Sequence, residues 1–500
     1  MLDPLEKLLG RYNKLEKYTK YALVLIAVGL AIRLSLSIYT SVSGDACWHL
    51  SAAKYIGSTG QIPLFEPLGR DIFWPPPLFH LMNAFSYLSL NWLLGEASLK
   101  LVAPVLGALF LWFAFLVVRK LFSSKIAFYS TLFLFMLPLQ LYQSAIGYPD
   151  IAFGLFSLMA IYYALENRLI ISSVATGLAL LTKTNAFFIF PVIIYMICKN
   201  SPKKFWKKFA IFAAIAIMIA LPWYVRDYVY LGNPVWPFMN NVFHGYSSPS
   251  VPQQTIGFDV PRLVETFYLS MFGVPNGNMQ NLSLLDGWML TSWLALTLIF
   301  ISFFFIGLAR FLKNRKRSIG YDVVNILFVS LFLLQVIMAM NIGDFQTRYI
   351  MPALIFFSIY WAIGMMHVSR NKLAQIIVVI ILLVSGIGFI AGEFAKSYVA
   401  GNMWSVYDKD FIWVKNNIEK DALVMTPNSQ CYAYKLDKYT ASTMFVENGF
   451  YSIGDIDYIF YPTTNSFVIN TYEKKPALLD RAALVYENNM TGISVYKVMK

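Results

Sequence analysis

Charge is what this sequence lacks. Only 13% of its 500 residues are Asp, Glu, Lys or Arg while 58% are hydrophobic, against roughly 25% and 45–50% in soluble domains. That deficit excludes a soluble globular chain and predicts a polytopic membrane protein. Cysteine is scarce as well. The three present, Cys47, Cys198 and Cys431, form no CxxC pair or metal-finger spacing, which removes the zinc-finger and dithiol classes. Also missing is a small-residue cleavage site after the basic N-terminal arm (Lys7, Arg11, Lys14, Lys17, Lys20). The first apolar run is therefore read as an uncleaved span and not as a signal peptide. Finally, the net charge of +13 comes without any RNA- or DNA-binding motif, so nucleic acid is set aside as a partner.

What is present is a series of apolar runs, most of them near the 17–25 residues a bilayer requires. They cover Tyr21–Tyr39, Leu99–Val118, Ile126–Tyr142, Asp150–Leu165, Leu169–Leu181, Ala186–Ile197, Phe209–Tyr224, Trp288–Leu308, Val323–Met340, Ile350–Met366 and Leu373–Ala391. Basic clusters orient them. The N-terminal arm, Arg119-Lys120 with Lys125, Arg168, Lys199 to Lys208, Arg310 to Arg317 and Arg370 with Lys372 all fall inside if about 11 segments cross, as the positive-inside bias requires. A twelfth stretch, Phe73–Leu94, would move later clusters outside if it crossed. It is read as an interfacial or re-entrant helix, led by Pro75-Pro76-Pro77, since proline is tolerated in a first helical turn.

The expected fold is a polytopic α-helical membrane protein, with a membrane module over 1–392 and a small extracytoplasmic α/β domain over 393–500. The N-terminus is cytoplasmic and the C-terminal domain outside, in the cell membrane. Outer loops fall at 40–98 and 225–287. Cys47 and Cys431 share the outer side and are free to pair, although their spacing gives little support to it. In the tail, helical Asp410–Ile418 precedes strand-like Ala422–Met425, Tyr458–Tyr461, Ala483–Tyr486 and Ile493–Lys497, read from β-branched and aromatic runs.

Ionisable groups at a membrane edge are functional suspects, and several converge on the outer face. Asp45 follows the first span, with His49 four residues later on one helix face if that loop is helical. Asp150 opens the fourth span. Lys183, Arg226 and Arg348 oppose the positive-inside bias, Arg33 lies within a span, and Arg70 lies in the first outer loop. A phosphate held at the outer rim accounts for such cations, arginine through its bidentate fork. The alternatives are snorkelling, or pairing with Asp227 and Asp344, and for Asp150 a helix-dipole role. A sugar on a lipid phosphate suits this layout. The phosphate is already a good leaving group once cations offset its charge, so one carboxylate, Asp45, suffices as base for the acceptor hydroxyl. Asp150 is a second catalytic candidate. Trp48, His49, Glu66 and His80 are candidates for acceptor or sugar contact or for support. A divalent metal is possible, with Asp45 and His49 as its ligands if one binds, but no tight ligand spacing marks it.

These residues also carry a resemblance. Gly44-Asp45-Ala46-x-Trp48-His49, continuing through Ala52-Ala53-x-Tyr55-Ile56 to Gly60-Gln61-Ile62-Pro63, resembles the first outer loop of GT-C glycosyltransferases. Pro75-Pro76-Pro77-Leu78, Tyr148-Pro149-Asp150, Leu180-Leu181-Thr182-Lys183, Pro222-Trp223-Tyr224-Val225-Arg226 with Gly232-Asn233-Pro234, and Arg348-Tyr349-x-x-Pro352 continue it in order. Protein O-mannosyltransferases and lipid A aminoarabinose transferases belong to that superfamily. The resemblance implies a polyprenyl-phosphate (dolichyl or undecaprenyl) sugar donor, an extracytoplasmic glycan, lipid or protein acceptor, and Asp45 as acid/base. Ala46 stands where the O-mannosyltransferases have the second acid of an Asp-Glu pair, which puts a protein acceptor in doubt. The tail has no Trp-Trp-Asp-Tyr-Gly motif, which argues against an oligosaccharyltransferase. An oligosaccharide transferase or ligase, or a lipid-linked sugar transporter or flippase, remain the alternatives.

Overall fold

A computed structural model describes residues 12–42, 44–67, 69, 72–247, 287–313, 319–342, 347–368, 372–427, 430–443, 453–462, 479 and 481–500. Each of the eleven apolar runs lies on helix. In chain order the helices used below are α1 (Lys17–Tyr39), α2 (Asp45–Thr59), α3 (Leu78–Leu94), α4 (Val102–Leu121), α5 (Ser124–Met136), α6 (Pro138–Ile146), α7 (Asp150–Leu165), α8 (Leu169–Leu180), α9 (Phe190–Asn200), α10 (Phe205–Leu231), α11 (Gly287–Lys313), α12 (Ile319–Ile342), α13 (Leu354–Val368) and α14 (Lys372–Ser405). Among the described residues five helical segments are individually long and apolar enough to cross a bilayer, or six with the bent pair α5–α6. The chain is an integral membrane protein.

The bend has a local cause. The run Ile126–Tyr142 reads as one span, yet α5 and α6 meet at 64°. Pro138 begins α6 and holds the preceding Leu137 in the extended region (φ −74°, ψ 116°), because its ring disfavours helical geometry one residue upstream. Deeper in the bundle, α11 packs on α13 through Gly307 and Gly364. A Cβ on either would collide with the partner's backbone, at Tyr360 or Phe303. Close approach through small residues is how helices gain contact where no hydrophobic effect separates lipid from protein. Phe133, Phe300 and Trp361 stack in the same core, the last two at 4.6 Å between centroids.

α14 runs 34 residues, about 51 Å at 1.5 Å per residue, and so passes residue 392 unbroken and outreaches a bilayer core of about 30 Å. Beyond it, α15 (Asp408–Asn417) and α16 (Gln430–Leu436) pack on a five-stranded sheet of order β2-β1-β3-β5-β4. Its strands are β1 (Leu423–Thr426), β2 (Tyr439–Ser442), β3 (Tyr458–Pro462), β4 (Ala482–Asn488) and β5 (Ile493–Val498). β1 pairs in parallel with β2 and β3, whereas β5 runs antiparallel to β3 and β4. Four strands match the sequence reading. The edge strand β2 escaped it, because Tyr-Thr-Ala-Ser has no apolar alternation and is extended through pairing with β1.

This small domain is bound to the segment between α1 and α4. Cys47 of α2 and Cys431 of α16 form a disulfide with Cα atoms 4.9 Å apart, inside the range a bridge spans without strain. Lys54 of α2 pairs with Glu96 at 2.6 Å and with Asp437, which Lys415 of α15 also contacts at 2.9 Å. Thr440 of β2 donates from its hydroxyl to the Pro67 carbonyl at 2.7 Å.

Candidate active site

Gly44 adopts φ +56°, ψ −140° at the start of α2, a conformation that a Cβ would strain. The turn it makes puts Asp45 in the first helical position. Four other segments meet it there. Arg348 donates from Nη2 to Asp45 Oδ2 at 2.5 Å, and its Nε lies 3.9 Å from Asp150 Oδ2. Lys183 donates to Asp150 Oδ1. Gln430, from the small domain, donates from Nε2 to Asp45 Oδ1 at 3.3 Å. Tyr148 and Tyr349 supply ring faces, with Arg348 4.8 Å from the first centroid and Lys183 4.4 Å from the second. The outcome is two carboxylates, two cations and two aromatic rings drawn from α2, α7 and the segments before α7, α9 and α13.

Burial opposes the charge on Arg348, but Asp45, Tyr349 and Asp150 more than offset it and hold its pKa above the ordinary arginine value. For Lys183 burial wins, and its pKa falls despite Asp150. The Asp45 side chain is 37% exposed whereas that of Asp150 is 1%. Asp45 is thus the carboxylate a substrate can reach. Two buried polar atoms here, Arg348 Nε and Asp150 Oδ2, have no hydrogen-bond partner among the described residues.

His49 shares this neighbourhood, but its ring turns to His80, with Nδ1 3.0 Å from His80 Nε2. Burial holds His80 down to about 3 and His49 well below its ordinary value, so both are neutral at pH 7, one ring donating and the other accepting. Acid should therefore destabilise the fold. The unfolded chain protonates these histidines near pH 6.5, whereas the folded chain protonates His80 only near pH 3 and His49 only well below its ordinary value. Between those values the unfolded state binds more protons, and stability falls as pH falls by up to about 1.4 kcal/mol per unit for each histidine. Melting temperatures of the purified protein between pH 7 and pH 4.5 test this; His80→Gln should flatten the slope.

A second group forms beside the first. Trp48 packs on Phe73, and Phe73 on Trp223. Arg226 sits 4.4 Å from the Trp223 ring and donates to the Phe73 carbonyl at 2.5 Å and to Asp227 at 3.0 Å. It anchors this aromatic cluster and pairs with Asp227, the acidic partner weighed for it, away from the contacts around Asp45. Arg33 lies elsewhere, fully buried, donating to Ser144 at 2.8 Å, the Gly29 carbonyl at 2.9 Å and Gln140 at 2.5 Å. It ties α1 to α6 across the bend. Glu66 is buried near the loop turn, and Arg70 lies outside the described residues. No group of three or more His, Cys, Asp or Glu side chains is placed to hold a metal among the described residues. A cavity of about 320 Å³, lined by Lys54, Tyr55, Pro67, Lys438 and Tyr439, is on the far side of α2. Lys54 is nine residues from Asp45, half a turn round and about 13 Å along the helix. Gln430 was not anticipated from sequence, since a lone Gln some 385 residues away carries no spacing signal.

With this geometry in hand, comparisons with known proteins are informative. Residues 75–225 match a family model described as dolichyl-phosphate-mannose-protein mannosyltransferase. No curated protein sequence matches the chain. Among solved structures, ArnT from Cupriavidus metallidurans bound to undecaprenyl phosphate superposes with a TM-score of 0.64 at 13% identity, over 96% of this chain and 98% of that one. The chain has the GT-C fold. An oligosaccharyltransferase from Archaeoglobus fulgidus, crystallised with Zn and sulfate, gives a TM-score of 0.57 at 12% identity over 95% of this chain and 73% of that one. The same organism's AglB, with an inhibitory peptide and a dolichol-phosphate, gives 0.55 at 13% over 97% and 75%. The resemblance read from the motifs is borne out at the level of this GT-C fold, including the C-terminal sheet domain.

Proposed function

We propose that this GT-C chain is a glycosyltransferase that moves one sugar from a polyprenyl phosphate to an extracytoplasmic glycan, lipid or protein acceptor. The observation that carries the reading is the meeting of the reachable Asp45 with Arg348, Lys183 and Asp150. The acceptor hydroxyl gives its proton to Asp45, and its oxygen forms the new bond to the anomeric carbon. The bond from that carbon to the phosphate oxygen breaks, and the polyprenyl phosphate leaves with the electron pair. Arg348 and Lys183 offset the added charge. Asp150 holds Lys183 in place, and the Trp48, His49 and His80 group walls the site beside Asp45. A relative of the same fold is described with undecaprenyl phosphate bound, which supports the donor class. The Cys47–Cys431 bridge supports an outer placement of α2 and the small domain, because disulfides persist in oxidising compartments.

Purified protein in nanodiscs, given undecaprenyl- and dolichyl-phosphate monosaccharides and, in parallel, polyprenyl-pyrophosphate oligosaccharides, together with extracted envelope acceptors, should release free polyprenyl phosphate from the monosaccharide donors, read by mass spectrometry. A transporter leaves every donor intact. Turnover only of pyrophosphate-linked oligosaccharides points instead to an oligosaccharide transferase.

A further inference from the structure

We propose that Gln430, carried by the small domain, is a positioning residue for Asp45, and that the Cys47–Cys431 disulfide keeps it there. This rests on Asp45 being the base, and goes beyond it by making the C-terminal domain part of the active site.

The carboxylate of Asp45 turns about a torsion with a broad, two-fold profile. One donor on one oxygen does not fix its plane; a donor on each oxygen does. Arg348 holds Oδ2 at 2.5 Å and Gln430 holds Oδ1 at 3.3 Å. A carboxylate offers about four lone-pair sites, so Oδ1 keeps capacity for an acceptor hydroxyl while its direction is set. Gln430 suits the task because its amide is neutral. It orients the base without adding a second full charge against it, as a lysine there would.

The bridge brackets this hydrogen bond. Cys47 is two residues from Asp45, and Cys431 is next to Gln430. The first turn of α16 is thereby pinned to the first turn of α2 by a covalent link that spans 384 residues of sequence. Both cysteines are buried. At the other end of the same interface, Lys54, Glu96, Asp437 and Lys415 make a charge cluster. The small domain thus stays docked in part when the bridge is cut, while the end next to Asp45 loosens. A graded loss is expected, in contrast to collapse.

Full-length variants are assayed with the donor turned over in the nanodisc panel. Gln430→Ala should lower kcat roughly tenfold, the worth of one hydrogen bond to a charged group, with donor KM little changed. Gln430→Glu sets a like charge beside Asp45 and disfavours its ionised form, so the acid limb of the pH–rate profile should move to higher pH. Gln430→His, which keeps a neutral donor at neutral pH, should restore much of the activity. Cys47→Ser/Cys431→Ser should show the Gln430→Ala defect, and adding Gln430→Ala to it should cost little more. Detergent gel filtration and thiol counting confirm that each variant is folded. An unmoved acid limb in Gln430→Glu overturns the positioning role. Full additivity of the cysteine and Gln430 changes overturns the role of the bridge. If Asp45→Asn retains activity, the failure lies in the reading of the base, and absence of turnover from every donor overturns the functional reading as a whole.

Discussion

Asp45→Asn should reduce sugar transfer to below about 0.1% of wild type, the upper part of the 10²–10⁴ range for loss of a positioned base. The substitution is nearly isosteric. Its amide oxygen can still accept from Arg348, which donates to Oδ2 in the wild type at 2.5 Å, so the fold and the docking of α16 should survive. What is removed is the proposed proton acceptor. The acceptor hydroxyl must then lose its proton to water, while the donor still binds through its phosphate. The expected signature is therefore a collapse of kcat with undecaprenyl phosphate still binding in native mass spectrometry. Asp45→Glu keeps a base on a longer arm and should recover to about 1%, because misplacement of about 1 Å costs on the order of 100-fold. Wild-type turnover in Asp45→Asn removes the assignment.

Arg348→Met should cost about 10³-fold in kcat/KM, in the range measured when a preorganised group facing developing charge is deleted. Arg348 does three things in this structure. It grips Asp45, its Nε approaches Asp150 at 3.9 Å, and that Nε–H makes no hydrogen bond among the described residues. Removing it leaves Lys183, among the described residues of this contact group, as the one cation facing two carboxylates and the proposed phosphate. Both binding and turnover should fall, which separates this variant from Asp45→Asn. Arg348→Lys restores the charge but not the planar fork, and should recover only part of the loss. Detection is by titration with undecaprenyl phosphate and by single-turnover release of polyprenyl phosphate. Unchanged binding and turnover in Arg348→Met would remove the phosphate role.

Some of this was visible in the order of residues. The apolar runs became helices because their hydrophobic length is a local property, and the α/β tail announced itself by its change in composition. Asp45, Asp150, Lys183 and Arg348 stood out as ionisable groups at run ends, and the structure draws those four together. Other cations carried the same local mark and went elsewhere. Arg33 is spent on Ser144, Gly29 and Gln140, and Arg226 on Phe73 and Asp227. A charge in an apolar run shows that a partner is needed without showing which kind.

The sequence alone determined the membrane class, the helical runs and the small group of acids and bases worth suspecting, since hydropathy and charge are written residue by residue. Tertiary structure decided which of those groups share a site. It paired His49 with His80, bent α5 against α6 at Pro138, joined Cys47 to Cys431 and brought Gln430 to Asp45. Each of these except the bend is a contact between segments distant in the chain, set by how helices and the small domain pack. Packing depends on shape complementarity across the whole molecule, which leaves no period or spacing to read along a single strand of sequence.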